Sequence, residues 1–158
     1  MPTKKQRLAE LKGDWTASEL SIVYKPGEKL DTTIISATEI IGVVRSLWNK
    51  ELINVQEQMM AFFLNSRGKV IGYRLMAIGD MERAIIDVRL LACLALHTLA
   101  SSVILAHNHP SGHIEPSNAD IDLTKKVKQA LQLINVKLLD HIIITESDSL
   151  SLANRGLV

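Results

Sequence analysis

The apolar residues of this chain switch repeatedly between a helical and an extended spacing, and that alternation limits the possible fold more than any other feature. Ser36, followed three residues later by Glu39, forms a capping box. Ile40, Ile41, Val44 and Leu47 then recur at helical spacing, which predicts a helix over about 37–49. MMAFFLN, the turn SRGK and VIGYRLMAI read as a β-hairpin whose Gly68 supplies the positive φ of a tight turn. From Asp87 to Ala100 the chain is nearly all Leu, Ala, Val and Cys, without Gly or Pro, and reads as a helix buried on most sides. SVILA then reads as a short buried strand. Ser117 opens a further helix carrying Ile121, Leu123, Val127, Leu131 and Ile134, and VKLLDHIIIT after it is a β-branched strand. With SELSIVYKPGEKL as an opening strand closed by the Pro26-Gly27 turn, the order is β-α-β-β-α-β-α-β. That order predicts an α/β sandwich with a mixed sheet.

The size and balance of the chain, 158 residues with 47% hydrophobic and 22% charged, suit one domain that buries its own core. We therefore expect a single domain over 1–158, with 1–35 as an N-terminal extension in which residues 3–14 form a short basic helix. A formal net charge of +1 creates no strong global field for DNA, RNA or anionic lipid. The single cysteine, Cys93, excludes an internal disulfide and a cysteine-rich zinc site, and its apolar surroundings read as those of a small buried hydrophobe. MPTKKQRLAELKGDW lacks the apolar stretch of a signal peptide, and no run is long enough to span a membrane. A cytoplasmic protein without membrane contact is the expectation.

The chemistry concentrates in ILAHNHPSGHIEPSNAD. In an extended chain, positions i and i+2 point to the same side, so His107 and His109 can aim ring nitrogens at one point. Pro110 stops the strand and Gly112 permits a bend back toward the strand's carboxyl end. Ser117 and Asp120 stand three apart at a helix start, in the spacing of an N-terminal box, and can face that same point. Two imidazoles and a carboxylate leave a fourth position for water. That is the open form of a catalytic zinc site, which can lower the pKa of bound water to about 7. A hydrolase of this type also needs a group to move protons. Glu51, Glu57, Glu82 and Glu115 are candidates by residue type, and Glu57 stands out because it opens a strand that is apolar on both faces.

These residues resemble a known family. HNHPSG followed by PSNAD, with Ser and Asp in S-x-x-D spacing, is similar to the RadC-like branch of the JAMM (MPN) metalloenzymes, whose pattern is an upstream Glu, His-x-His, seven residues, Ser, two residues and Asp. The similarity extends from QEQMMAFFLNSRGKVI through LTKKVKQAL and LLDHIII to SLANRGL, about residues 36–158. The resemblance implies a three-layer, cytidine-deaminase-like sandwich in which His107, His109 and Asp120 bind zinc. It also implies Glu57 as general acid/base and Ser117 as a stabiliser of the oxyanion. The implied reaction is metal-assisted hydrolysis of a peptide or isopeptide bond in a protein or peptide substrate. Relatives usually carry Asp where this chain has His113, which reads as a surface histidine. They also tend to have Pro-Arg-Glu where this chain keeps only Arg89, and many have an N-terminal helix-hairpin-helix region for which this chain has no room. His141 reads as a structural histidine beside Asp140, and His97 as a core residue.

Two other functions compete. RadC-like proteins are commonly labelled DNA repair proteins, but Lys125, Lys126 and Lys128 do not share one helical face and aromatics for stacking bases are few, so a nucleic-acid partner has thin support. A protein-interaction module without activity is the other, and intact Glu57 and Ser117 weigh against it. A zinc deaminase of the Pro-Cys-x-x-Cys type is excluded by the single cysteine.

Overall fold

A computed structural model of the protein describes residue 34 and residues 36–79 and 86–158. The expected opening strand, the basic helix over 3–14 and Glu82 lie outside the described residues. Among these residues, α1 spans Ala37–Leu47, β1 Gln58–Leu64, β2 Val70–Ile78, α2 Val88–His97, β3 Ser102–Asn108, α3 Asn118–Gln132, β4 Lys137–Ile144 and β5 Ser149–Ser151. No helix among them is long and apolar enough to cross a membrane.

The five strands form one mixed sheet in the order β2-β1-β3-β4-β5. β1 pairs antiparallel with both β2 and β3, β3 and β4 are parallel, and β5 returns antiparallel to β4. The hairpin turn falls where Gly68 takes φ 74°, a conformation without steric cost for glycine. The parallel β3-α3-β4 unit requires a crossover, and α3 supplies it across one face.

Alternation along the central strands divides the core into two layers, because successive side chains leave opposite faces of a sheet. Met60, Phe62, Leu64, Ile104, Ala106, Ile142 and Ile144 meet Ile40, Val43 and Val44 of α1 on one face. Met59, Ala61, Phe63, Val103 and Leu105 meet Leu91 and Ala95 of α2 and Val127 and Leu131 of α3 on the other. The result is the expected three-layer α/β arrangement. At the start of α1 the Ser36 side chain accepts from Glu39 N while the Glu39 carboxylate accepts from Ser36 N, completing the capping box.

Two readings of the sequence change. α2 is buried along one stripe only: Leu91 and Ala95 are inside, whereas Cys93, Leu96 and His97 are exposed. Its apolar composition does not make it a central helix, because an outer-layer helix has a single face against the sheet. Cys93 and His97 are therefore surface residues, with His97 Nδ1 2.7 Å from the Cys93 carbonyl oxygen one turn back. The second change is the length of β3, which continues past Ala106 through Asn108. His107 is thus part of the sheet itself.

Candidate metal centre

His107 leaves β3 on the face covered by α2 and α3, at the carboxyl end of a strand buried along its whole length. His109 follows two residues later on the same side, held by a hydrogen bond from its backbone N to the Ile144 carbonyl. Pro110 and Gly112 then turn the chain, with Gly112 at φ 76°, and Ser117 caps α3. Asp120, at the third helical position, closes the group: His107, His109 and Asp120 each offer one donor atom to a common point.

The spacing of those atoms suits a metal. His107 Nε2 lies 2.9 Å from His109 Nε2 and 3.1 Å from Asp120 Oδ1, and His109 Nε2 lies 3.5 Å from Asp120 Oδ2. Zinc bound at about 2.0–2.1 Å in tetrahedral geometry places neighbouring ligand atoms roughly 3.3 Å apart. Asp120 also divides its labour. Oδ2 accepts from Ser117 N at 2.7 Å and Ser117 Oγ at 2.6 Å, which leaves Oδ1 facing His107. In this arrangement the Ser117 hydroxyl orients the carboxylate. Donating to a substrate oxyanion would require it to exchange that bond.

The protonation of His109 follows from its partner. Its Nδ1 is 2.6 Å from the His113 carbonyl oxygen, which carries no proton, so a hydrogen sits on Nδ1 and Nε2 is the nitrogen turned to the site. His113 itself is exposed, as expected of a surface histidine, but its backbone serves the site. Burial works to raise the Asp120 carboxyl, yet hydrogen bonds from His107 and His109 outweigh it and hold the group far below the usual carboxylate range. For His109 burial opposes the cation, while Asp120, the His113 carbonyl and Glu57 together push its pKa up on balance.

Glu57 is half-buried just before β1. Met59 pairs with His107 across the β1–β3 ladder, so continuing that register by two residues sets Glu57 opposite His109, on the face of the two rings. Of the other carboxylates considered, Glu51 is exposed and Glu115 is exposed and paired with Arg155 at 3.2 Å.

Sequence reasoning passed over Asn108. This buried side chain points to the α1 face and donates from Nδ2 to the Ile53 carbonyl at 2.7 Å and the Gln56 carbonyl at 2.9 Å. Its Oδ1 accepts from Gln58 N at 2.7 Å, so a single side chain pins the backbone on both sides of Glu57. Asn108→Ala leaves two carbonyls and one amide without partners, and at about 1 kcal/mol or more for each buried orphan we expect a loss of roughly 3 kcal/mol in unfolding free energy. Urea denaturation measures it. A loss under about 1 kcal/mol would mean that water or a shifted backbone replaces the clamp.

His141, read from the sequence as a structural histidine beside Asp140, is fully buried beside His107, with its Nε2 2.8 Å from His107 Nδ1. Burial, and then the neighbouring His107, lower its pKa well below the ordinary histidine value, so it is neutral. Its position depends on an irregularity in β4. Val103 pairs with Leu138 and Ile104 with Asp140, leaving Leu139 as an extra, exposed residue. That bulge lets Leu138 and His141, three apart, face the same side. Asp140 secures the bend by accepting from His141 N at 2.7 Å, Ala153 N at 3.0 Å and Ser151 Oγ at 2.6 Å.

The family model described as a RadC-like JAB domain matches residues 34–157. A UPF0758 protein of Flavobacterium johnsoniae is 44% identical over 101 residues, covering 64% of this chain and 44% of that protein. A UPF0758 protein of Marinomonas sp. is 41% identical over 116 residues, 73% of this chain and 52% of the relative. One from Pseudomonas savastanoi pv. phaseolicola is 37% identical over 124 residues, 78% and 55%. The chain spans about half the length of the curated relatives it matches.

Proposed function

This chain belongs to the RadC-like JAB domain family, and on that basis we propose that it is a zinc-dependent metallohydrolase of the peptidase or isopeptidase type. The observation that carries this reading is the convergence of two imidazole nitrogens and one carboxylate oxygen at the end of β3, in a spacing that fits one tetrahedral cation. Three protein donors leave one coordination position open, as catalytic rather than structural zinc requires. When bound, such a cation would lower the pKa of water and polarise a carbonyl.

The residues of the chain supply the rest. Glu57, across from His109, takes a proton from the attacking water and passes it to the leaving nitrogen, so that the amine departs neutral. Ser117 keeps Asp120 oriented and turns its hydroxyl toward the carbonyl oxygen as negative charge develops there. A protein or peptide amide is the substrate class this arrangement suits.

A panel of fluorogenic peptides and isopeptides tests the proposal. We expect the zinc-loaded protein to cleave members of the panel, to lose at least about 100-fold in rate with a zinc chelator, and to regain it when zinc is returned. Cleavage that is indifferent to the chelator overturns the metal mechanism. Failure of the zinc-loaded protein on the whole panel overturns the hydrolase reading.

A further inference from the structure

We propose that the cleft at the carboxyl end of α1 binds a ligand that carries one carboxylate on an apolar stem. The cleft, about 570 Å³, is lined by Arg45 near the end of α1, Trp48, Lys50 and Ile53 after it, and Ile144 and Glu146 at the end of β4. That size falls in the range of about 300–1,000 Å³ usual for small-molecule sites. Trp48, Ile53 and Ile144 belong to the core layer on the α1 face, whereas His107 and its ladder partner Met59 lie on the other face of the sheet. The cleft is therefore separate from the metal centre, and its assignment does not depend on a metal.

The donors of this cleft exceed the acceptors that the chain gives them. Trp48 is 5% exposed, and its indole Nε1 is the one buried side-chain nitrogen or oxygen without a hydrogen-bond partner among the described residues. A buried N–H left unmet carries a cost that native chains rarely bear, and an acceptor on a ligand removes it. Arg45 donates through Nη1 and Nη2 to the carbonyls of Glu146 and Asp148, which fixes the guanidinium and leaves it further N–H groups to offer. Lys50 is exposed and has no ion pair among the described residues. The Glu146 carboxylate accepts from Asn54 Nδ2 at 2.7 Å and pairs with neither cation.

Two cations and one carboxylate leave a single net positive charge in the lining, which matches a monoanion better than a dianion. A carboxylate accepts at once from the indole N–H and from charged donors, and such charge-assisted bonds are the strong ones. The stem lies on Ile53 and Ile144, where an apolar group gains and a second polar one does not. Because Nε1 is shielded from solvent in the free chain, contact requires a side-chain adjustment of the kind that commonly accompanies binding. A free small acid and the C-terminal residue of a peptide both carry this group.

The chain has two tryptophans, so Trp15→Phe leaves Trp48 as its one indole. The experiment follows the Trp48 N–H by nitrogen-15 NMR in that variant during titration with 3-phenylpropionate, its neutral analogue 3-phenylpropanol, inorganic phosphate, and a tripeptide ending in phenylalanine with a free or an amidated carboxyl terminus. We expect a saturable downfield shift with 3-phenylpropionate at a Kd of about 1 mM or tighter, and binding of the alcohol weaker by at least about 10-fold. Lys50→Gln, an exposed change that breaks no bond within the chain, should weaken the acid about threefold. Trp48→Phe, followed by calorimetry, should weaken it about 10-fold, and Lys50→Gln keeps the test decisive where the buried substitution does not fold. A free-carboxyl peptide that binds more tightly than 3-phenylpropionate, with its amide silent, supports the site as one for peptide termini; binding of the small acid as tight or tighter supports it as one for free acids. No shift up to about 10 mM acid, equal binding of the alcohol, tighter binding of phosphate, or an unchanged affinity in Lys50→Gln overturns the proposal.

Discussion

His107→Ala and Asp120→Ala are each expected to reduce the zinc content of the purified protein from about one per chain to a trace, because two ligands do not hold this cation against buffer and competing chelators. Elemental analysis on zinc-supplemented protein measures it. Asp120→Ala also removes a capping partner of Ser117, which costs about 1 kcal/mol of helix stability, small beside the stability of a domain of this size. A folded variant without zinc is thus the expected product. Acid should have a related effect. Asp120 stays ionised through the whole working range, so protons compete with the metal only at the imidazoles. The His109 pKa is raised in the metal-free site, so protonation begins at a higher pH than for an ordinary imidazole of about 6.5. Metal affinity should therefore be full in mild alkali and fall as the pH drops through neutrality. Zinc held equally tightly at pH 5 and pH 8 would contradict imidazole ligation.

The parts of this site that the sequence discloses are those whose spacing is local. His107 and His109 share a side because a strand repeats every two residues, and Ser117 and Asp120 share one because a helix start brings i and i+3 together. The position of Glu57 becomes legible only through the register of β1 against β3, which pairs Met59 with His107 across 48 residues of sequence. His141 is hidden for a more specific reason. Alternation along VKLLDHIIIT places Leu138 and His141 on opposite faces, and only the extra residue Leu139 brings them to the same one. Bulges leave no periodic trace, so the reading of His141 as structural did not extend to its contact with His107. The misreading of α2 has a related cause. Composition reports that the helix is apolar, but which neighbours cover it is decided by layers that form from distant segments. Asn108 combines both difficulties, since its three partners lie 50 to 55 residues earlier in the chain.

Glu57→Gln is expected to separate chemistry from metal binding. The amide preserves the size of the side chain and can still accept a hydrogen bond, but it cannot take up a proton at neutral pH and deliver it to a leaving amine. Loss of general acid/base catalysis of this kind typically lowers the rate by about 10²- to 10⁴-fold. Because Glu57 is not among the three converging donors, zinc content should remain at about one per chain in the variant. His109 carries a readout of its own: Glu57 contributes, after Asp120 and the His113 carbonyl, to raising its pKa, so neutralising Glu57 should lower that value in the metal-free protein. Hydrolysis by Glu57→Gln at the wild-type rate would remove Glu57 from the mechanism while leaving the metal site intact. Loss of zinc together with activity would instead mean that Glu57 supports the ligand geometry. Asn108→Ala bears on the same distinction, because it leaves every donor in place and disturbs only the backbone on which Glu57 sits. A rate lowered in that variant with zinc retained is the outcome expected if the catalytic geometry depends on the clamp around residues 53–58.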